Sequence, residues 1–285
     1  MTAMPDIESS PLMVGFIADL IFQSKIEEAG NKLGFQVRWI ESSEKLAPGM
    51  ADTQRMKPGE ALEGAGAVLI DRLTTWKPAL LIFDLGNDQI PWRDWVVLLK
   101  TSAATRRLPV LCYGPHVNGE ALKAAQAAGA NGVVTRSNLV ENLTDLIKEY
   151  ARVPDSAALV KSCQSKLSPL AQRGLELFNQ GKYFEAHEEL ELAWKEDQTA
   201  GRELYRAILQ VAVAYLQIER QNYNGAIKMF WRVRQWIDPL PERCRGVDVA
   251  NLRQDAELAY QALIELGKDR VAEFDRRLMK PVGYV

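Results

Sequence analysis

Residues 79–86 read Ala79-Leu80-Leu81-Ile82-Phe83-Asp84-Leu85-Gly86. A short, unbroken apolar run closed by an acid and a glycine is the pattern of a strand covered on both faces that reaches the surface only at its end, here at Asp84. Working outward, residues 12–20 (LMVGFIADL) and 35–41 (FQVRWIE) read as strands on either side of a helix at 22–34, which Gly34 closes. Residues 61–77 (ALEGAGAVLIDRLTTWK) predict a helix leading into the central run. Beyond it, helices at 92–105, 119–130 and 138–152 alternate with strands at 108–114 (LPVLCYG) and 131–136 (NGVVTR). Five β-rich runs separated by helices imply a parallel sheet with helices on both faces, because parallel strands need long crossovers. This α/β domain spans residues 12–152 behind a flexible lead at 1–11. Residues 42–60 (SSEKLAPGMADTQRMKPGE), rich in Pro, Gly and charge and without periodicity, read as an exposed insertion.

The pattern changes after residue 152. Residues 153–168 mix Pro, Ser and small side chains and read as a linker. Residues 169–285 carry helical periodicity throughout, with segments at 168–181, 183–197, 202–221, 223–241 and 249–267 that predict a small all-α bundle of about five helices. An internal echo places Tyr183 and Ala186 forty residues before Tyr223 and Ala226. In helical repeats such a small residue admits a neighbouring helix, and the aromatic fills the gap between helices.

Composition narrows the possible roles. The chain has 285 residues, 47% of them apolar, enough for two separate cores. Lys plus Arg number 35 against 37 Asp plus Glu, and the 16 basic and 18 acidic residues up to Val153 leave 19 of each beyond it. Neither half has the field of a nucleic-acid or anionic-membrane binder. Cys112, Cys163 and Cys244 are odd in number and widely spaced, which argues against a disulfide framework and against structural zinc and points to a reducing, cytoplasmic setting. No run approaches the ~18 to 20 apolar residues of a membrane span, and the first residues carry no export signal.

The sequences LIFDLG, LPVLCYG and AAGANGVV, in this order of elements, resemble the receiver domain of two-component response regulators, a flavodoxin-like fold. The resemblance covers the whole first half. It implies a phosphoacceptor Asp at the end of the third strand, a pair of acids holding Mg²⁺ after the first, a Ser or Thr ending the fourth and a Lys ending the fifth. The phosphoryl group needs a dication and an ammonium to neutralise its oxygens. Asp84 falls at the acceptor position, and Asp19 is the one acid near the end of the first strand. The fourth strand ends in Cys112-Tyr113-Gly114-Pro115, and Arg136 stands where the Lys would be. Arg is no replacement for a compact ammonium. With three parts missing or replaced together, the expectation is a pseudo-receiver that dimerises or binds a protein partner without phosphorylation, needing no cofactor. Its Asp84 then pairs with Arg136 or caps a loop. The alternative is a still phosphorylatable Asp84, which would require Mg²⁺. His116 follows the fourth strand, where open α/β sheets place ligands, and also fits a plain loop residue.

In the second half, LFNQGKYFEAHEELELAW, RELYRAILQVAVAYLQIERQNYNGA and ERCRGVDVANLR resemble DUF309, a family of small helical domains of unknown function, over residues 170–253. The residues themselves suggest a polar seam. His187 and Glu191 lie one helical turn apart with Glu188 about 100° around, and Arg202, Arg206 and Gln210 repeat at intervals of four on the next helix. Three readings compete. His187, Glu188 and Glu191 could bind a metal, but a second His is missing and two Arg oppose a cation. Arg202 and Arg206 could hold a small anionic ligand, beside Gln210 and Trp194, with His187 as acid or base. The third reading, which we favour, is a charge-paired helix interface with Trp194 and Tyr205 beside it, so no metal is expected and a small-ligand or enzymatic site is the alternative. Trp231, Arg232, Arg234 and Trp236 interleave aromatic and basic side chains as single-strand binders do, although helical spacing explains them as core. The functional expectation is a signalling or scaffold protein with the helical half as its output surface.

Overall fold

The computed structural model describes residues 10–50 and 62–285, and the chain divides into two compact units, 1–153 and 154–285. The lead at 1–9 and the greater part of the insertion, 51–61, lie outside the described residues.

The first unit runs β1 (Leu12–Phe16), α1 (Leu20–Lys32), β2 (Gln36–Trp39), α2 (Ser43–Leu46), α3 (Gly64–Trp76), β3 (Leu80–Asp84), α4 (Trp92–Thr101), β4 (Val110–Gly114), α5 (Gly119–Ala127), β5 (Gly132–Thr135) and α6 (Arg136–Tyr150). All strand pairs are parallel, in the order β2-β1-β3-β4-β5. This is the doubly wound, flavodoxin-like order that receiver domains share, and its direction reverses between β1 and β3. β3 and β4 are buried along their whole length, whereas edge strand β2 alternates exposed and half-buried residues. Both faces of the centre are thus covered, as the unbroken apolar run at 79–83 requires. β1 ends earlier than its apolar run. Asp19 accepts the backbone N–H groups of Ile21 and Phe22 (2.9 and 3.4 Å), so the chain turns helical at Leu20.

The second unit contains α7 (Ser156–Ser162), α8 (Pro169–Asn179), α9 (Tyr183–Glu196), α10 (Glu203–Glu219), α11 (Tyr223–Ile237), a small hairpin of β6 (Arg243–Cys244) and β7 (Val247–Asp248), and α12 (Val249–Leu266). The echo marks two equivalent joints. Lys182 N–H bonds Leu177 C=O (2.9 Å) and Gly181 N–H bonds Phe178 C=O (2.9 Å). Asn222 to Gln217 (2.8 Å) and Gln221 to Ile218 (2.9 Å) repeat the same pair of bonds. Both are Schellman caps, which need a left-handed residue, and Gly181 (φ 75°) and Gln221 (φ 57°) supply it. Ala186 and Ala226 are fully buried in the following helices. Tyr183 packs edge-on against Phe178 and Tyr215, with ring centroids 5.3 and 5.4 Å away.

Two readings of residues 153–168 and of the cysteines change. The segment holds α7, and Cys163 at its end is disulfide-bonded to Cys244 of the hairpin, 81 residues away. Sequence spacing argues against a disulfide because it registers only near neighbours; folding brings the end of α7 against β6, where Arg245 N–H also donates to Cys163 C=O (2.7 Å). The cysteine argument for a reducing compartment falls with it. Cys112 alone stays free, inside β4, where burial pushes its thiol up to about 12.

Gln221 carries the strain that Gly181 avoids. Gln221→Gly should raise stability by about 1 kcal/mol, the usual cost of a left-handed L-residue less the added unfolded-state entropy. Urea denaturation should show a higher midpoint at unchanged slope.

Candidate functional site

The C-terminal rim of the first unit's sheet gathers the residues singled out by the receiver resemblance. Asp84 ends β3 in register with Tyr113 on β4, and Gly114 is in register with Thr135, which precedes Arg136. Asp84 is only 3% exposed. Its carboxylate accepts Gly86 N–H (2.8 Å) and the Arg136 Nη2 group at both oxygens (3.2 and 3.1 Å). Gly86 is what admits the guanidinium, since a Cβ there would lie 2.8 Å from Arg136 Nη2. Arg136 also sits 5.4 Å from the Phe22 ring centroid, and Phe22 stacks on Tyr113 at 5.1 Å. Burial first, then the Asp84 carboxylate, pushes the Tyr113 hydroxyl well above the ordinary tyrosine range.

The acids that the receiver resemblance would give to Mg²⁺ are engaged elsewhere. A guanidinium occupies both oxygens of Asp84, Asp19 is turned to capping α1, and no group of three His, Cys, Asp or Glu residues among those described could hold a metal ion. His116 lies exposed in the loop after β4.

In the second unit the seam does not close as a cross-helix set of ion pairs. Glu188 is exposed, and Glu191 pairs with Lys195 on its own helix (2.9 Å). That bond, working against slight burial and helped by the Lys195 and His187 charges, holds the Glu191 carboxyl below its ordinary range. Among the described residues no hydrogen bond or ion pair joins His187, Glu188 or Glu191 to Arg202 or Arg206. The arginines stack instead. Arg206 lies between two indoles, 4.0 Å from the Trp194 centroid and 4.1 Å from that of Trp236, and Arg202 lies 5.3 Å from Trp194. Glu203 supplies the counter-charge at 3.4 Å from Arg206 and 3.6 Å from Arg202. Gln210, one turn further along α10, is buried with no partner for its Oε1.

The aromatic and basic run on α11 is core. Trp231 and Trp236 are buried, Trp231 Nε1 donates to the Tyr260 hydroxyl (3.0 Å), and Arg234 is bonded through Nη2 to both Glu257 oxygens (3.3 and 3.1 Å). That arrangement leaves neither indole a face for a base.

Sequence reasoning missed Arg245. It is a buried arginine at φ 53° in the hairpin turn, ion-paired to Asp197 (2.6 Å), bonded to Thr199 Oγ1 (2.7 Å) and to the Tyr205 hydroxyl. Gly201 leaves room for it, because a Cβ there would come within 2.7 Å of its Nη2. The adjoining Arg245-Gly246 pair, both with positive φ, is the available signal: it marks a tight hairpin turn.

The first unit is thus a doubly wound α/β domain of receiver topology whose acceptor-position acid is closed by an arginine, and the second is a helical unit stapled by one disulfide. Residues 171–229, within the second unit, match the family model for DUF309, a domain of unknown function. No curated protein sequence matches the chain. Among solved structures, the chain is similar to the response regulator RPA3017 in red light signalling of R. palustris (16% identity, 50% of this chain and 98% of that one, TM-score 0.37). It is also similar to the phosphorylated cyanobacterial phytochrome response regulator RcpA (14%, 52% and 100%, TM-score 0.38). A third is HP1043, an orphan response regulator of H. pylori (17%, 50% and 98%, TM-score 0.36).

The Asp197 pair gives a pH test. Burial opposes ionisation of Asp197, but its bonds from Thr199 and then Arg245 outweigh this and leave the carboxyl below its ordinary value. A depressed folded pKa adds stability that is present in full above the ordinary carboxylate range and is lost as pH falls through the folded value. Asp197→Asn should therefore cost about 1 kcal/mol at neutral pH, less than for a fully buried pair because Asp197 itself is half-buried. The gap from wild type in urea midpoints should shrink steadily as the pH is lowered into the carboxylate range.

Proposed function

We propose that the chain is a signalling or scaffold protein in which the receiver-like unit recognises a protein partner, a second copy of itself included, without being phosphorylated, while the helical unit supplies an output surface. The single observation that carries this reading is the Asp84 carboxylate closed by Arg136 Nη2 on both oxygens and by Gly86 N–H. A phosphoryl donor must meet a free carboxylate oxygen with a dication beside it. Here the oxygens are already neutralised and the second metal carboxylate is missing. A guanidinium in place of phosphate and Mg²⁺ leaves the rim in one charge state, so recognition by this unit does not wait on a kinase.

Support for the helical unit as a binding surface rather than a reactive centre comes from its arginines. Arg202 and Arg206 are stacked on indoles and paired with Glu203, and His187, Glu188 and Glu191 do not converge on them. Among the described residues no helix is long and apolar enough to cross a membrane, and an aqueous site of action, the cytoplasm, is part of the proposal.

The test is incubation of the whole protein with acetyl phosphate and Mg²⁺, followed by intact mass measurement. The expected result is no added phosphoryl group on the wild-type chain. An adduct that disappears in Asp84→Ala would overturn the reading. A second arm, Arg136→Lys, restores an ammonium; sedimentation of wild type and Arg136→Lys with and without the phosphodonor should show one association state that the donor does not change.

A further inference from the structure

At the edge of the first unit, away from Asp84 in sequence, Trp39, Ile40, Lys45, Leu46, Arg72 and Trp76 line a pocket of about 230 Å³. Three elements converge here: the end of β2 with the turn after it, α2, and the last turn of α3. Trp39 ends β2, in register with Gly15 on β1. A Cβ at Gly15 would lie 2.3 Å from Trp39 Cζ3, so the missing side chain is what lets the indole lie against the sheet. Trp76 is the last residue of α3, and the Arg38 guanidinium sits 4.3 Å from its ring centroid. Both indoles are half-buried, fixed by the fold yet partly open to solvent.

Lys45 is ion-paired with Glu41, which that bond and charge hold below the ordinary carboxylate range, and Glu44 accepts Gly49 N–H (3.0 Å). Arg38 and Arg72 are both exposed, and no acid among the described residues pairs with either. The pocket wall therefore offers the Arg72 guanidinium, two indoles and the aliphatic side chains of Ile40 and Leu46, with the Arg38 guanidinium beside it on one face of Trp76. Guanidinium groups match phosphate oxygens, and indoles stack on flat rings. The volume lies below the roughly 300 Å³ at which drug-sized sites begin, so it suits one ring system with one phosphate rather than a dinucleotide.

We propose that this pocket binds a phosphorylated planar ring, the base and phosphate of a nucleotide, with Arg72 on the phosphate, Arg38 adding charge at the edge of the site, and the open indole faces against the ring. The same chemistry is offered by a free mononucleotide and by the terminal nucleotide of a single strand. The lining holds neither Asp84 nor Arg136, and the inference stands whether or not Asp84 accepts phosphate.

Isothermal titration of the whole protein separates the components. Adenosine 5′-monophosphate should bind saturably at one site, with adenosine and inorganic phosphate each weaker by about tenfold or more, the size expected for losing a charged hydrogen bond or a stacking partner. Arg72→Glu should weaken the nucleotide by about tenfold or more and leave the thermal unfolding midpoint in place, because that side chain is exposed and unpaired. Arg38→Glu gives a second variant on another element. A short oligodeoxyadenylate that binds no better than the mononucleotide assigns the pocket to free nucleotides; tighter binding, lost equally in Arg72→Glu, assigns it to a strand end. Absence of saturable heat with any of these probes, or nucleotide binding that neither Arg variant changes, overturns the proposal.

Discussion

A carboxylate almost wholly removed from water at the end of a central strand has to be neutralised, and how it is neutralised governs what this domain can do. Leaving Asp84 ionised and alone would cost several kcal/mol. In a working receiver the balance is supplied by a dication, an ammonium and an incoming phosphoryl group. Here one guanidinium and one backbone N–H take their place. The substitution involves more than two residues, because Arg136 reaches Asp84 only where Gly86 has no side chain, and Phe22 and Tyr113 flank it. The carboxylate is thus held from two sides, by the guanidinium and by the backbone N–H of Gly86.

The helical unit solves its charge problem with aromatic rings. Arg206 between Trp194 and Trp236 and Arg245 at the Tyr205 hydroxyl are partly or wholly buried cations held by π-faces, hydrogen bonds and nearby acids. These contacts join α9, α10, α11 and the β6–β7 hairpin, with the disulfide tying α7 to the same hairpin. Of the seam residues, Arg206 is therefore the one that holds α9 and α11 to α10. Two copies of one Schellman joint set the helix reversals, and the second copy tolerates a strained Gln221.

The fold was legible because its signals are local and repeated. The apolar run at 79–83, the alternation of helices and strands, and the change to helical periodicity after residue 152 each follow from side-chain period and burial, whereas the two-residue strands β6 and β7 are too short to show a period. Asp84, Asp19 and Arg136 were singled out by the receiver resemblance, and the strand ends bring Asp84 and Arg136 together at one rim. The seam was legible as a stripe on each helix but not as a set of partners. His187 and Glu191 share a face of α9, yet Glu191 pairs with Lys195 on its own helix, and the arginines prefer indole faces to carboxylates across the gap.

What the sequence by itself determined is the order and type of the elements, because hydrophobic period and turn chemistry act over a few residues at a time. Only the tertiary structure decided which distant groups meet: Cys163 with Cys244, Arg245 with Asp197, Arg136 with both oxygens of Asp84, and Arg38 with Trp76. Each depends on a spatial approach across tens of residues, often through a glycine that leaves a gap of the right size, and neither the approach nor the gap is written in the spacing of the residues that use it.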